Sequence, residues 1–188
     1  MTARLIPFRS HERRLSFEDG RSAAKNVLAT PIAERLDRSR KLRIDDPELL
    51  LHLCETLRDD LQSSPPVVRD EADFFYRFVQ STAQVGLYDE RDYFLGQTAL
   101  LAGIAARHLG KREEGFLWLD RAEAGFRHTM NPAPGLANVA YARLTLRFEM
   151  GRYQDVLSWR RLWRRVSRSS GCISKQSSAA CWSLRRSR

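Results

Sequence analysis

Apolar residues recur at spacings of three and four positions through most of this sequence, and glycine or proline follows several of these stretches. The stretch after Asp46-Pro47 shows this clearly, with Leu49, Leu53 and Leu57 on one side of a helix. No segment alternates apolar and polar residues between hairpin turns, which is the pattern of a half-buried β-strand. The sequence therefore predicts an all-α fold.

The start and stop signals divide this pattern into separate helices. Thr30 before Pro31 and Asp46 before Pro47 are typical of N-caps followed by proline in the first turn. Ser63 to Pro66 and residues 131–135 indicate loops, and Gly86, Gly110 and Gly151 are stops. The predicted helices cover 23–28, 31–36, 47–61, 71–83, 93–109, 112–128, 136–150 and 153–165.

The excess positive charge of the chain lies at its C-terminal end. The 188 residues carry a formal net charge of +9, with 32 basic and 23 acidic residues. Residues 1–158 hold all 23 acidic residues and are neutral overall, because nine of the basic residues fall within 159–188. We therefore divide the chain into an irregular Arg-rich arm over 1–24, a helical-repeat domain over 25–165, and a basic, Ser/Arg-rich disordered tail over 166–188.

Three interpretations of the C-terminal segment remain open. Lys/Arg-rich tails gain affinity for nucleic acids by releasing counterions, so residues 159–188 could bind RNA or DNA. The segment could also be a solvated terminus without function, although Trp159, Trp163 and Trp182 argue against that. In the third interpretation it is not part of the folded design, because a shifted reading frame has truncated a longer protein.

Several classes of protein find no support in the sequence. No apolar run approaches the roughly 18 residues of a membrane-spanning helix, and no apolar segment typical of a secretory signal follows Met1. Cys54, Cys172 and Cys181 are odd in number, which favours a reducing compartment over a disulfide scaffold. We expect a cytoplasmic protein without membrane contact.

No pattern of residues predicts catalysis, a metal site or a cofactor. Gly103 and Gly110-Lys111 lack the spacing and the Ser/Thr of a phosphate-binding loop. His52 and Cys54, two positions apart, point to different faces of a helix and cannot share a metal. We expect His52 at the surface, Cys54 in the core, and no enzyme activity.

The segment around Gly110 resembles the inter-helix turn of the tetratricopeptide-repeat family, in which paired helices touch at small residues. Residues 109–115 carry the turn, and residues 150–156 around Gly151 are a weaker copy, 41 residues later. Relative to Gly110, the family's packing positions all fall in one register. They are Gly103, Gly115, Leu119 and Ala122.

The resemblance covers residues 93–128 well and residues 136–158 weakly. Ala99 and Ala106 stand where the family has aromatic residues, and Leu144 and Val156 replace small residues in the second unit. What the resemblance implies is a short solenoid of stacked antiparallel helical hairpins, predicted over 31–61, 93–128 and 136–165. The helix predicted over 71–85 has no partner in this arrangement.

The same resemblance implies a non-catalytic protein–protein interaction or scaffold module, which binds a peptide or partner helix in a concave groove. By register the groove residues would be Gln97, Arg107, His108, Asn138 and Tyr141, beside Leu100, Ile104, Thr145, Phe148 and Glu149. In a competing interpretation Leu100, Ile104 and Phe148 are core residues. The alternative function is nucleic-acid binding, which only residues 159–188 would support, and an enzyme that needs a further domain comes third.

Overall fold

The computed structural model describes residues 17–42, 44–81 and 88–152, and the regular structure within these ranges is helical throughout. The all-α prediction is therefore confirmed. The helices are α1 (Phe17–Ala29), α2 (Ile32–Arg35), α3 (Ser39–Leu42), α4 (Pro47–Asp60), α5 (Pro65–Ser81), α6 (Tyr88–His108), α7 (Arg112–Arg127) and α8 (Ala133–Glu149).

The chain divides into two compact units, Met1–Arg143 and Leu144–Arg188. Of the second unit the structure describes residues 144–152, which form the end of α8 and the turn after it. The stop predicted at Gly86, the helix predicted over 153–165 and the tail predicted over 166–188 lie outside the described residues. Within the described ranges, no helix has both the length and the apolar character needed to cross a membrane.

The predicted helix starts are correct at α4 and wrong at α2. The Asp46 carboxylate accepts a hydrogen bond from the backbone N–H of Glu48 at 3.0 Å, as an N-cap does. The Thr30 hydroxyl instead donates to the Asn26 carbonyl oxygen at 3.0 Å, so it serves the end of α1 and does not cap α2.

Four other helices begin earlier than the sequence pattern indicated, among them α6, which starts at Tyr88, and α8, which starts at Ala133. Helix α5 starts at Pro65 and not at Glu71, because proline fits the first turn of a helix, where no N–H partner is needed. Helix α1 covers Phe17–Ala29, so residues 17–24 of the predicted irregular arm are helical.

Helix α6 lies at the centre of the first unit and packs against α7, α5 and α4, while α1 packs against α4. Helix α5 thus has a partner that the sequence did not reveal. The Arg91 side chain of α6 donates to the carbonyl oxygens of Val79 and Gln80 at 3.2 and 2.8 Å. These carbonyls lie in the last turn of α5, where a positive charge also favours the helix dipole.

The core contains the apolar faces of α4 to α7. Cys54 is buried, as predicted, with 3% of its surface exposed. His52 is buried too, with 7% of its surface exposed, so the prediction of a surface histidine is wrong. The ring fits against α1 because Gly20 has no side chain: a Cβ there would lie 2.2 Å from the imidazole. Large side chains with almost no exposure are Leu50, Leu53, Leu57, Phe75, Leu101, Leu119 and Phe126.

Candidate functional site

The residues matched to the repeat register meet between α6 and α7. A Cβ added at Gly103 would lie 3.1 Å from Cδ2 of Leu119 and 3.3 Å from the Gly115 carbonyl oxygen. Leu119 and Ala122 are fully buried, and Gly115 is buried as well. Small residues therefore let the two helices approach closely at the position that the sequence indicated.

A second close contact, nearer the other end of the same helix pair, was not predicted. A Cβ at Gly125 would lie 2.7 Å from the backbone nitrogen of Gly96 and 3.0 Å from the Asp92 carbonyl oxygen. A Cβ at Gly96 would meet the Phe126 ring at 2.7 Å, and one at Gly135 would meet the same ring at 2.3 Å. Gly96 and Gly125 are present in the sequence as small residues on both helices, but they do not belong to the repeat register that Gly110 sets.

Both predicted glycine turns have the same conformation. Gly110 has φ = 72° and Gly151 has φ = 73°, the left-handed region that glycine adopts without a steric penalty. In each turn the glycine N–H bonds to the carbonyl three residues back, and the following N–H bonds to the carbonyl five residues back. These are Gly110 to Arg107, Lys111 to Ala106, Gly151 to Phe148 and Arg152 to Arg147, at 2.9 to 3.0 Å. Each turn is a Schellman motif.

The groove residues predicted on α6 differ in their exposure. Gln97 is buried; its amide oxygen accepts from Arg58 at 3.2 Å and its amide nitrogen donates to the Tyr93 hydroxyl at 3.0 Å. Arg107 is half-buried and lies beside the exposed His108, with Nη2 and Nε2 3.1 Å apart. The structure thus places Gln97 in the core, towards α4, and it places His108 at the surface.

On α8 the predicted positions Asn138 and Tyr141 are exposed, Tyr141 by 57%. They lie three residues apart and therefore face the same side of the helix. Arg143 of the same helix forms ion pairs with Asp120 and Glu123 of α7. Burial raises the pKa of Glu123, but the hydrogen bond and charge of Arg143 outweigh it and lower the pKa below its usual 4.5.

A cleft between α5 and α7 is a second candidate site, and it lies among residues that the sequence did not mark. Its cavity has a volume of about 390 Å³. We call it the α5–α7 cleft. It is lined by Arg69, Asp73, Tyr76, Arg77 and Gln80 of α5 and by Glu114, Leu117, Trp118 and Arg121 of α7.

Aromatic rings and a guanidinium group form one part of the α5–α7 cleft. The rings of Tyr76 and Trp118 meet edge to face, with centroids 5.4 Å apart and an interplanar angle of 84°. The guanidinium carbon of Arg121 lies 4.4 Å from the centroid of the Trp118 ring and 5.8 Å from that of Tyr76. A guanidinium over an aromatic ring is held there by cation–π attraction, which strengthens as water is excluded.

Ion pairs form the other part of the α5–α7 cleft. Arg69 contacts Glu114 at 2.8 Å and Asp70 at 2.7 Å, and Arg77 contacts Asp73 at 2.8 Å. Partial burial raises the pKa of Glu114, but the hydrogen bond and charge of Arg69 act more strongly and lower it below 4.5. The Glu114 carboxylate is therefore ionised at neutral pH, and both carboxylates of the cleft already have an arginine partner.

The described residues offer little chemistry for a metal or a thiol nucleophile. Among them, no group of three or more His, Cys, Asp or Glu side chains is placed to hold a metal ion. Burial raises the pKa of the Cys54 thiol to about 12, so the thiolate is scarce at neutral pH.

No protein-family model matches the chain, and neither a curated protein nor a solved structure is significantly similar to it. The tetratricopeptide-repeat resemblance therefore depends on the residues quoted above and stays a prediction.

Proposed function

We propose that this chain is a non-catalytic protein–protein interaction module built from tetratricopeptide-like helical hairpins. In this proposal α6 and α7 form one antiparallel hairpin, and further hairpins stack beside it as a short solenoid. The partner is a peptide or a helix that docks along the first helix of each hairpin.

The observation that carries the proposal is the recurrence of one turn. The Schellman motif at Gly110 returns at Gly151 with the same pair of hydrogen bonds and with φ angles of 72° and 73°. Each follows a helix of at least 17 residues, α6 in the first case and α8 in the second. A repeated helix end supports a repeated supersecondary unit, and such units bind partners across their stacked helices.

The contacts between α6 and α7 also support the hairpin. Gly103 meets Gly115 and Leu119, whereas Gly96, earlier in α6, meets Gly125 and Phe126, later in α7. The earlier residue of α6 thus contacts the later part of α7, and the later residue of α6 contacts the earlier part. This order is expected of an antiparallel pair of helices joined by a short turn.

Within this proposal Arg107, His108, Asn138 and Tyr141 contact the partner, while the buried Gln97 fixes α6 against α4. Arg and Tyr are common anchors of protein interfaces, because they bring large contact areas and hydrogen bonds. Residues 1–158 have no net charge, so the affinity for the partner should depend weakly on salt.

The test is selection of phage-displayed 12-residue peptides on the immobilised full chain, followed by affinity measurement on synthetic copies. We expect peptides whose affinity falls about tenfold on Tyr141→Ala and changes less than about twofold on Val67→Ala. Val67, on α5, is a matched control because it is 58% exposed, close to the 57% of Tyr141. Equal effects of both variants, or no selected peptide, would contradict the proposal.

The alternative, nucleic-acid binding through residues 159–188, gives a different result. An RNA or DNA oligonucleotide would then bind the full chain with an affinity that falls steeply between about 50 and 200 mM salt. Replacing the nine basic residues of 159–188 by glutamine in the full chain would abolish that binding. Under the interaction-module proposal the same variant keeps its affinity for the selected peptides.

A further inference from the structure

We propose that the α5–α7 cleft binds a peptide segment that carries an acidic residue two positions from an apolar one, with Arg121 as the carboxylate ligand. The inference does not depend on the groove along α6 and α8, since the cleft is lined by α5 and α7 alone. Three features of the cleft carry it.

The first feature is the availability of the Arg121 charge. Arg69 and Arg77 line the same cleft, but each is engaged by a carboxylate, Glu114 for one and Asp73 for the other. Arg121 is exposed and, within the part of the chain that the structure describes, its contacts are the rings of Trp118 and Tyr76. A ligand carboxylate can therefore pair with Arg121 without displacing an internal partner.

The second feature is the orientation of the guanidinium. The guanidinium carbon lies over the Trp118 ring, 4.4 Å from its centroid. Arginine that stacks on an aromatic ring keeps the N–H donors at the edge of the group available. The edge of a guanidinium matches the two oxygens of a carboxylate in a bidentate pair. Because the rings already hold Arg121, less side-chain entropy is lost when the pair forms than for a solvated arginine.

The third feature is an apolar side chain at a suitable distance. Leu117 is 63% exposed, lines the same cleft and lies four residues before Arg121, so the two side chains are neighbours on one face of α7. Neighbours at this spacing have Cβ atoms roughly 5–6 Å apart. In an extended peptide, side chains two residues apart lie on one side at about 6.7 Å. The ligand pattern is thus an apolar residue and an acidic residue separated by one position.

Charge favours such a peptide over a nucleic acid. The lining of the cleft contains three arginines and two carboxylates, so its net charge is about that of one cation. A polynucleotide presents several phosphates, and Asp73 and Glu114 would repel those that Arg121 cannot neutralise. One carboxylate matches Arg121, the one arginine of the cleft lining for which the described residues provide no carboxylate partner.

The experiment uses phage-displayed 12-residue peptides selected on the full chain and counter-selected on the full chain with Arg121→Gln. We expect enrichment of Asp or Glu two positions from Leu, Ile or Phe. The best peptide is then synthesised in two forms, with its acidic residue intact or changed to the amide, and binding is followed by fluorescence anisotropy. Dependence on one charge–charge hydrogen-bonded pair predicts a loss of about tenfold or more on Arg121→Gln.

Matched variants make the outcome specific. Arg112→Gln removes an exposed charge from the same helix, outside the cleft, and should change the affinity less than about twofold. Arg121→Lys keeps the charge but loses the bidentate fork, so its affinity should be intermediate. The amide form of the peptide should bind wild type and Arg121→Gln equally, since the pair is already absent.

The proposal is overturned if no acidic residue is enriched, or if Arg112→Gln weakens binding as much as Arg121→Gln. It is also overturned if an oligouridylate of 12 nucleotides binds in the cleft. In that case the oligouridylate would displace the peptide, and Arg121→Gln would abolish binding of the oligouridylate. Because the variants alter exposed side chains, an unchanged circular dichroism spectrum is expected for each. A folded Arg121→Lys variant with wild-type affinity would exclude bidentate recognition.

Discussion

The substitution Gly125→Ala tests how closely α6 and α7 approach. An alanine Cβ at this position would lie 2.7 Å from the backbone nitrogen of Gly96. That is about 0.8 Å less than the roughly 3.5 Å at which nonbonded heavy atoms attract most. Since the obstacle is backbone, no side-chain rotation relieves it, and the helices must move apart.

The expected effect is the balance of two terms. Overpacking of this kind costs about 1–3 kcal/mol, while alanine is favoured over glycine in a helix by about 0.5–1 kcal/mol. We expect a net loss of about 1–2 kcal/mol in the free energy of unfolding. For a chain of this size the melting temperature falls by about 2–4 °C per kcal/mol, so a decrease of about 2–8 °C should be seen by circular dichroism.

The neighbouring variant Ala124→Gly provides the control. Ala124 is exposed on the same helix, so its replacement should cost only the propensity difference of about 0.5–1 kcal/mol. If Gly125→Ala raised the melting temperature while Ala124→Gly lowered it, the propensity term would dominate. The close backbone contact between α6 and α7 would then be refuted.

Three further predictions concern other parts of the first unit. Gly103→Leu should reduce the free energy of unfolding by about 1–3 kcal/mol and so lower the melting temperature, because even an added Cβ would lie 3.1 Å from Leu119. An unchanged thermal midpoint would refute this contact. Cys54 should resist alkylation by iodoacetamide in the native Cys172→Ser/Cys181→Ser variant and react once urea unfolds it, because burial raises its pKa to about 12. Glu114→Gln should destabilise the chain at about pH 7 but not at about pH 3 in urea titrations. Arg69 lowers the pKa of Glu114 despite partial burial, so this stabilisation exists above about pH 4.5 and is lost as the pH falls through the folded value.

The sequence predicts the helices of this fold better than it predicts which of them touch. Helical period, Asp46 and the two glycine turns depend on residues within one or two turns of each other, and the structure has them where the sequence indicated. The early start of α5 was missed because Pro65 and Pro66 follow two serines, a pattern typical of a loop, and that of α1 because Gly20 interrupts its first turn. Apolar spacing alone does not mark such a turn.

The α5–α7 cleft could not be predicted for a different reason. Its polar side chains on α5 recur at helical spacing, as do those of any solvated helix face. Only the position of α7 beside that face converts Tyr76 and Arg69 into partners of Trp118 and Glu114, 42 and 45 residues away. Contacts of this range depend on the order in which helices pack, which one sequence does not specify.

The buried ion pair of Arg35 and Glu71 is another contact between residues far apart in the sequence. Both side chains are almost fully buried, and the guanidinium pairs with both carboxylate oxygens across 36 residues of sequence.

The other donors of Arg35 reach the carbonyl oxygens of Thr30 at 2.7 Å and Leu28 at 2.9 Å, so the end of α1 is joined to α2 and α5. The guanidinium carbon of Arg35 lies 5.4 Å from the centroid of the Phe74 ring. A buried ion pair is tolerated only when both of its members have partners. Removing the Arg35 side chain would leave the buried Glu71 carboxylate unpaired, at a cost of about 3–5 kcal/mol. The position of α2 against α5 is therefore fixed by polar groups. The spacing of apolar residues in the sequence would instead predict that these groups lie at the surface.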